Sequence, residues 1–313
     1  MRVTRRLLGC LALLSVSISL VACSSSESGT GGGGGNGGEG GLGGSAGAGG
    51  AVGAVAKCNG SADFCERRFD EVSYPMTHNA MSNAEDGWSL PNQNFNIVTQ
   101  LEAGIRGMML DTYDEEGEIL LCHVFCGLGS TPLVEALTEI RVFLEENPNE
   151  VFSIIFESYI ENSQTAAAVE ESGLIDLTYA HVVGEPWPTL GELIDANTRV
   201  MIFQEKPGDL AYPWLMYIWE QAWETPFSFE TPEDFSCNPN RGDPEAPLFL
   251  LNHFLTSPVG GSPEFAEMVN YNPLFIDRAE QCETENQALP NFVAVDFYDI
   301  GDLFDVTETL NSR

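Results

Sequence analysis

Basic residues are scarce in this chain, and the scarcity limits what it can bind. Its 313 residues include 13 lysines and arginines against 47 aspartates and glutamates, for a formal net charge of −34. The only lysines are Lys57 and Lys206. A surface this acidic repels nucleic acid and anionic lipid headgroups, which argues against a nucleic-acid partner. An anionic substrate would need local positive charge, and a bound divalent metal is the simplest source.

Long apolar runs are also rare, and the clearest one lies near the N-terminus. Residues 7–21 are apolar, follow three arginines and are too short for a stable membrane span, so residues 1–22 are predicted to be a secretion signal. Leu20-Val21-Ala22-Cys23 resembles the lipobox of bacterial lipoproteins, in which the cysteine is acylated. An ordinary signal peptide cut nearby is the alternative. We expect an exported bacterial lipoprotein, anchored through Cys23 in the outer membrane or at the cell surface.

The segment after this cysteine has little apolar content. Residues 23–57 are rich in serine and glycine, and such a composition cannot bury a core. We therefore expect a flexible tether here. The folded, catalytic region is predicted to span residues 58–313.

Six cysteines remain in that folded region. An even number of cysteines in an exported protein favours disulfides, although six cysteines allow 15 pairings. Proximity in the sequence suggests the pairs Cys58–Cys65, Cys122–Cys126 and Cys237–Cys282. A zinc site is disfavoured because the histidines do not stand at finger-like spacing around these cysteines.

From about residue 69 onward, strand-like runs alternate with helical patterns, which favours an α/β fold. Strands are predicted at 72–78, 105–113, 119–123, 151–159, 199–205, 248–253 and 292–297. Helices are predicted at 132–146, 165–172, 191–197 and 212–223. About eight strands with intervening helices fit a (β/α)8 TIM-type barrel, regular or distorted, better than a doubly wound sheet. No glycine-rich phosphate loop follows any strand, which argues against nucleotide binding.

Polar residues gather at the carboxyl ends of the predicted strands. They are His78, Asn79, Asp111, His123, Glu157, Lys206 and Asp296. Each alone could be a structural histidine or a solvated cap. In a barrel, however, these ends converge on one mouth, where active sites of this fold lie. Two imidazoles can act as base and acid on a phosphodiester, and an amide oxygen with two carboxylates can hold a hard cation.

Several ordered phrases carry a family resemblance. They are THN at 77–79, QLEAGIRG at 100–107, MLDTYD at 109–114, LCH at 121–123, NEV at 149–151 and FE at 156–157. With them, residues 58–305 resemble the X domain of phosphatidylinositol-specific phospholipase C enzymes. The phrase PNFVAVDFY at 290–298 makes the likeness closest to the X-domain-containing proteins of plants and fungi.

The resemblance implies roles for individual residues. His78 matches the general base for the inositol 2-hydroxyl, and His123 matches the acid that protonates the departing diacylglycerol oxygen. Asn79, Asp111 and Glu157 match the Ca²⁺ ligands of the calcium-dependent branch. The metal-independent branch has an aspartate after the first histidine, so the asparagine here favours the calcium type.

One departure weakens the metal assignment. The calcium branch carries a glutamate two positions before the ligand aspartate, where this chain has Met109. A site with one fewer carboxylate should bind Ca²⁺ more weakly, because affinity follows ligand charge and number. Calcium dependence is therefore a hypothesis.

Other histidines and charged residues are also assigned roles. Lys206 and the cation could stabilise the non-bridging phosphate oxygens, although a lysine at a strand end is commonly just solvated. Asp296 could orient a histidine or bind a substrate hydroxyl. His253 is assigned a structural role, and His181 is expected to be exposed. Arg106 is expected to form a salt bridge outside the barrel.

The sequence thus predicts a monomeric phosphodiesterase that cleaves a phospholipid or glycerophosphodiester through a cyclic phosphate. A glycerophosphodiester phosphodiesterase or sphingomyelinase D type of enzyme is the nearest alternative. Those families typically carry a Glu-x-Asp metal pair, whereas this chain has Met109-Leu110-Asp111. A surface binding protein that has lost catalysis is an alternative from a different class, and Met109 is the feature that favours it.

Overall fold

A computed structural model describes residues 57–256 and 260–313 of the chain. The predicted signal peptide at 1–22, the lipidation at Cys23 and nearly all of the predicted tether at 23–57 lie outside these residues. Among the described residues, no helix combines the length and apolar character needed to cross a membrane.

Parallel strands curl into a distorted α/β barrel. The strands of the described part are β1 (Tyr74–Thr77), β2 (Gly107–Glu115), β3 (Glu118–Cys122), β4 (Ser130–Pro132), β5 (Phe152–Ser158), β6 (Val200–Gln204), β7 (Leu215–Tyr217), β8 (Ala222–Glu224), β9 (Leu248–Asn252) and β10 (Phe292–Val295). Eight of these described strands follow the order β7-β6-β5-β2-β1-β10-β9-β8, all parallel, while β3 and β4 extend β2 as an antiparallel ribbon. In the described chain no pairing joins β7 to β8, so the barrel is open there. The predicted fold class is confirmed.

Helices cover the outer face of this barrel. Those of the described chain are α1 (Ile97–Ala103), α2 (Leu133–Glu146), α3 (Asn162–Glu171), α4 (Leu190–Asp195), α5 (Pro263–Val269), α6 (Leu274–Asn286) and α7 (Leu303–Asn311). Helix α2 shows why they form: Leu137, Ile140 and Leu144 recur at helical spacing, and all three are fully buried. The helix stops before Pro148, whose ring disfavours helical backbone in the residue before it.

One predicted helix is wrong. Residues 212–223 form strand β7, a 3₁₀ turn at Ile218–Glu220 and most of strand β8. Apolar and aromatic residues stand three or four positions apart in this segment, which imitates a helical face. The backbone instead pairs with β6 on one side and with β9 on the other, so β7 and β8 form the two edges of the open barrel.

Strand side chains alternate between the barrel interior and the helices. Tyr74 and Met76 on β1 pack in the interior with Ala294 of β10. Met108 and Leu110 of β2 belong to the outer core, which the helices share. Since side chains alternate along a strand, the next inward positions at the carboxyl ends carry polar groups. These positions are His78, Asp111, Glu157, Glu205, Glu224 and Asp296.

In the described chain three disulfides join the pairs that sequence proximity predicts. They are Cys58–Cys65, Cys122–Cys126 and Cys237–Cys282. The second closes a loop of five residues that contains His123. The other two tie the first described turn together and connect α6 to the loop before β9.

A partly buried ion network connects the ends of β6 and β8. The Arg241 guanidinium donates to Glu224 Oε1 at 2.5 Å and to Glu205 Oε2 at 2.8 Å. Its guanidinium carbon also lies 4.4 Å from the ring centre of Trp219. Burial raises the pKa of Glu205 to about 7 despite the opposing attraction of Arg241, and the charge of Glu157 adds to the rise.

This raised pKa predicts a pH-dependent instability. Glu205 binds its proton more tightly in the folded state, so its contribution to stability is present below the unfolded pKa of about 4.5 and is lost as pH rises through about 7. Glu205→Gln removes the titration. The unfolding free energy of the variant relative to wild type should therefore increase by on the order of 3 kcal/mol between those two pH values.

Urea unfolding at a series of pH values measures this difference. Glu118→Gln removes one carboxylate charge at an exposed position, so it serves as the control. Its unfolding free energy relative to wild type should not change over this pH range. A flat difference for Glu205→Gln would mean that Glu205 titrates normally in the folded protein.

Candidate active site

The first and last strands of the barrel bring His78 and Asp296 together. Thr77 at the end of β1 pairs with Val295 at the end of β10. His78 directly follows Thr77, and Asp296 directly follows Val295. His78 Nδ1 lies 2.9 Å from Asp296 Oδ1. The Phe254 ring stacks on the imidazole at 4.0 Å between ring centres. With Nδ1–H donated to the carboxylate, Nε2 is the nitrogen that can accept a proton.

The surroundings of His78 favour its protonated form. Burial alone would lower the pKa of His78, but the charge and hydrogen bond of Asp296 oppose it. The charges of Asp111 and Glu157 act in the same direction as Asp296, and the net effect is a raised pKa. The imidazole is therefore a better base than an isolated histidine.

His123 follows strand β3 and lies inside the disulfide loop Cys122–Cys126. The Phe125 amide donates to the His123 carbonyl at 2.5 Å, and Val124 has a φ of 60°, which is rare for a β-branched residue. His123 Nδ1 lies 3.6 Å from Asp111 Oδ2, which is close enough for charge attraction but too long for a hydrogen bond. This buried nitrogen has no hydrogen-bond partner among the described residues.

The two histidines line one cavity of about 160 Å³. Asp296, Asn92, Phe227 and Phe254 also line it. A single bound phosphodiester could thus contact both imidazoles. The catalytic hypothesis requires this arrangement.

The predicted metal ligands lie at the same end of the barrel. Asp111 pairs in register with Glu157 across β2 and β5, and Asn79 follows His78 with 2 % of its surface exposed. Burial raises the pKa of Asp111, and the charge of Glu157 raises it further against the attraction of both imidazoles. Two neighbouring carboxylates and an amide oxygen are the donors that a hard cation prefers.

The predicted metal ligands Asn79, Asp111 and Glu157 are not arranged as a metal site in the described structure. Within residues 57–256 and 260–313, no three histidine, cysteine, aspartate or glutamate side chains are grouped to hold an ion. Glu157 instead accepts a hydrogen bond from the Tyr159 hydroxyl. Met109, which replaces a carboxylate of the calcium branch, packs against the barrel interior.

Lys206 is not brought to this cavity. It stands one position after the inward-facing Glu205, and its Nζ donates to the Ile160 carbonyl at 2.5 Å. The strand alternation therefore directs it away from the histidines. The Lys206 prediction overlooked this one-residue offset.

The remaining sequence assignments have mixed outcomes. His253 is fully buried and bonds to the Val269 carbonyl and Arg278, so its structural role agrees with expectation. Arg106 forms the expected salt bridge, with Nε 2.6 Å from Glu150. His181 is buried against Trp187 rather than exposed. The sequence analysis missed Asn92 and Phe254, which lie in loops without any periodic pattern.

Comparisons with known proteins agree with the geometry. The family model described as PI-PLC X 1 matches residues 64–311. The chain belongs to the PI-PLC X family. It is 30 % identical over 276 residues to the PI-PLC X domain-containing protein At5g67130 of Arabidopsis thaliana, covering 78 % of this chain and 62 % of the relative. A PI-PLC X domain-containing protein 1 of Arthroderma benhamiae is 29 % identical, with 81 % of this chain and 89 % of that protein covered.

A further relative and a solved structure also resemble the chain. An uncharacterized secreted protein of Arthroderma benhamiae is 29 % identical, with 82 % of this PI-PLC X family chain covered and 64 % of the relative. The chain thus spans less than two thirds of that relative and of the Arabidopsis protein. The solved phosphatidylinositol-specific phospholipase C of Staphylococcus aureus matches with a TM-score of 0.52 at 15 % identity, covering 80 % of this chain and 94 % of that one. At this identity the match shows the phospholipase C-like fold.

The His78–Asp296 pair generates a test that does not depend on turnover. Asp296→Asn keeps the side-chain shape but removes the charge that raises the pKa of His78. The pKa of His78 should fall in this variant, and NMR of the imidazole protons across a pH series measures it. Asp299→Asn, on the same loop and exposed, is the matched control. Equal His78 titration in all three proteins would contradict the assigned role of the pair.

Proposed function

We propose that this PI-PLC X family protein is a phosphoric diester hydrolase or lyase that removes the headgroup of a phospholipid. The observation that supports this proposal is that His78 and His123 line the same cavity. A phosphodiester between two imidazoles can lose a proton from its nucleophile on one side and gain one at its leaving group on the other. Phosphatidylinositol is the proposed substrate class, because the family resemblance and the matched fold both belong to phosphatidylinositol-specific enzymes.

The reaction would begin at a headgroup hydroxyl next to the phosphodiester. His78 Nε2 takes the proton, and the hydroxyl oxygen bonds to phosphorus to form a cyclic phosphate. The bond from phosphorus to the diacylglycerol oxygen breaks, and His123 supplies the proton that this oxygen needs. Asp296 stabilises the imidazolium of His78 through the 2.9 Å hydrogen bond. Proton transfer from the second imidazole to the leaving oxygen balances the first transfer.

Calcium would supply positive charge to the phosphate when bound. Asn79, Asp111 and Glu157 would hold it, because they offer an amide and two carboxylate oxygens at one end of the barrel. Glu157 would first release the Tyr159 hydroxyl. Burial, together with the charge of Glu157, raises the pKa of Asp111, and a bound cation would favour its charged form.

An extracellular location is proposed as well. Disulfides persist in oxidising compartments, and this chain forms them at the pairs named above. The signal-like N-terminus and a relative named as secreted support export. Acylation of Cys23 would hold the protein at a membrane, near a lipid substrate.

Product analysis tests the proposed activity. The purified full chain is incubated with phosphatidylinositol, other phospholipids and glycerophosphodiesters, and phosphorus NMR identifies the products. Wild type should yield a cyclic inositol phosphate from phosphatidylinositol. His78→Ala and His123→Ala should each lower the rate by about 10²- to 10⁴-fold, because each removes a proton-transfer group. Their thermal unfolding should stay close to wild type.

Other outcomes lead to different functions. Cleavage of glycerophosphodiesters alone would favour the glycerophosphodiesterase alternative. No cleavage of any substrate would reject the enzyme proposal and leave the binding-protein alternative, which the Met109 replacement favours.

Metal removal tests the calcium proposal separately. Chelation should lower phosphatidylinositol cleavage, and added Ca²⁺ should restore it. Ca²⁺ should also stabilise the folded protein, by about 2.7 kcal/mol at a hundredfold excess over the dissociation constant. Asp111→Asn should weaken this stabilisation, whereas the exposed change Asp299→Asn should leave it intact. Full activity and unchanged unfolding in stripped wild type would mean that the protein works without calcium.

A further inference from the structure

Burial does not hold the tip of the disulfide loop Cys122–Cys126 in place. Val124 and Phe125 at this tip have 70 % and 65 % of their surface exposed. A polar contact does not hold the imidazole either, since His123 Nδ1 has no hydrogen-bond partner among the described residues and stands 3.6 Å from Asp111 Oδ2. The covalent bond that closes the loop is therefore a main determinant of where His123 lies.

The backbone of this loop is strained at Val124. Its φ of 60° lies in the left-handed region, which a β-branched residue adopts only at a cost in free energy. Cys122 is fully buried at the end of β3 and pairs with Ser130 of β4, whereas Cys126 is only partly buried. The disulfide keeps Cys126 beside this fixed strand end. With the bond open, Val124 could return to an ordinary backbone conformation, and the adjacent His123 would move with it.

This disulfide also differs from the other two of the described chain in its loop length. Its cysteines are 4 positions apart in sequence, compared with 7 for Cys58–Cys65 and 45 for Cys237–Cys282. The stabilisation that a disulfide gives by constraining the unfolded chain grows with the length of the loop it closes. Opening Cys122–Cys126 should therefore cost the fold the least of the three, although it releases the loop that carries the proposed acid.

We propose that the Cys122–Cys126 disulfide is a redox switch that places His123 in the cavity only when the two cysteines are oxidised. The inference rests on the proposed phosphodiesterase function and adds a condition for it. On oxidation, the two thiols lose two electrons and two protons to an external disulfide, their sulfurs bond, and the external disulfide becomes two thiols. A chain made in a reducing compartment would then stay inactive until it reached the oxidising location proposed above.

Stepwise reduction of the full chain with dithiothreitol tests this switch. Alkylation of each sample, followed by mass spectrometry, shows which disulfide has opened. The kcat/KM for phosphatidylinositol should fall about 10²-fold in step with the opening of Cys122–Cys126, because a displaced proton-transfer group loses its catalytic effect. Reoxidation with oxidised glutathione should restore the activity. Activity that persists after this bond has opened would overturn the proposal.

Paired serine substitutions separate this disulfide from the others. Cys122→Ser/Cys126→Ser should have the low kcat/KM of the reduced protein, and dithiothreitol at the concentrations that open Cys122–Cys126 in wild type should not lower it further. Cys58→Ser/Cys65→Ser is the matched control, because it removes a disulfide with a similarly short loop in the first described turn, ahead of β1. This control should keep both the activity and its sensitivity to dithiothreitol. Full activity of Cys122→Ser/Cys126→Ser would contradict the switch.

NMR of the histidine ring protons follows the switch without any substrate. The chain has four histidines, and His181 and His253 are buried outside the cavity that His78 and His123 line, so these two serve as internal references. Reduction of wild type should shift the His123 signals and leave the references in place, which also shows that the protein stays folded. Even if the protein cleaves no substrate, this measurement decides the inference. Unchanged His123 signals after Cys122–Cys126 has opened would overturn it.

Discussion

The pairing of the first barrel strand with the last determines whether the catalytic pair exists at all. His78 and Asp296 are 218 residues apart in sequence and meet because β1 and β10 are parallel and in register. The side chain of Asn311, in α7 after β10, exchanges two hydrogen bonds with the Ser73 backbone just before β1, each 2.8 Å long. The proposed base and its carboxylate therefore meet through contacts between distant parts of the chain.

The mouth of the barrel carries negative charge, so a site for an anionic phosphate here would need added positive charge. Asp111, Glu157 and Asp296 face the imidazoles, and their charges raise the pKa of His78. In the described part of the mouth, Arg241 is already engaged by two carboxylates, and Lys206 bonds to a backbone carbonyl. Since an anionic phosphate would meet this acidic rim, the imidazolium and a bound cation are the groups left to attract it. This shortage of free positive charge favours the calcium proposal, although Met109 offers no carboxylate to a cation.

The sequence predicted most of the barrel because strand alternation is local and strong. It located His78 and the carboxylates because each continues an inward-facing row at a strand end, whereas His123 directly follows the antiparallel strand β3. Along β6, the same alternation of side chains predicts that Glu205 faces inward and that Lys206 does not. It failed at residues 212–223 because strands of three residues are too short for a period to show. The place of Asn92 and Phe254 in the cavity could not be predicted from the sequence, since their positions depend on distant contacts rather than on a repeating pattern.

The two histidines are held in place by different kinds of constraint. His78 depends on noncovalent contacts gathered from the whole chain: Asp296, Phe254 and the β1–β10 ladder. His123 depends on a local covalent loop, because the Cys122–Cys126 disulfide confines it next to a buried strand end. Its Nδ1 is not fixed by a hydrogen bond in the described chain, so the loop rather than a polar partner sets its position. The proposed acid is thus positioned mainly by a local covalent loop, whereas the proposed base is positioned by its hydrogen bond to Asp296.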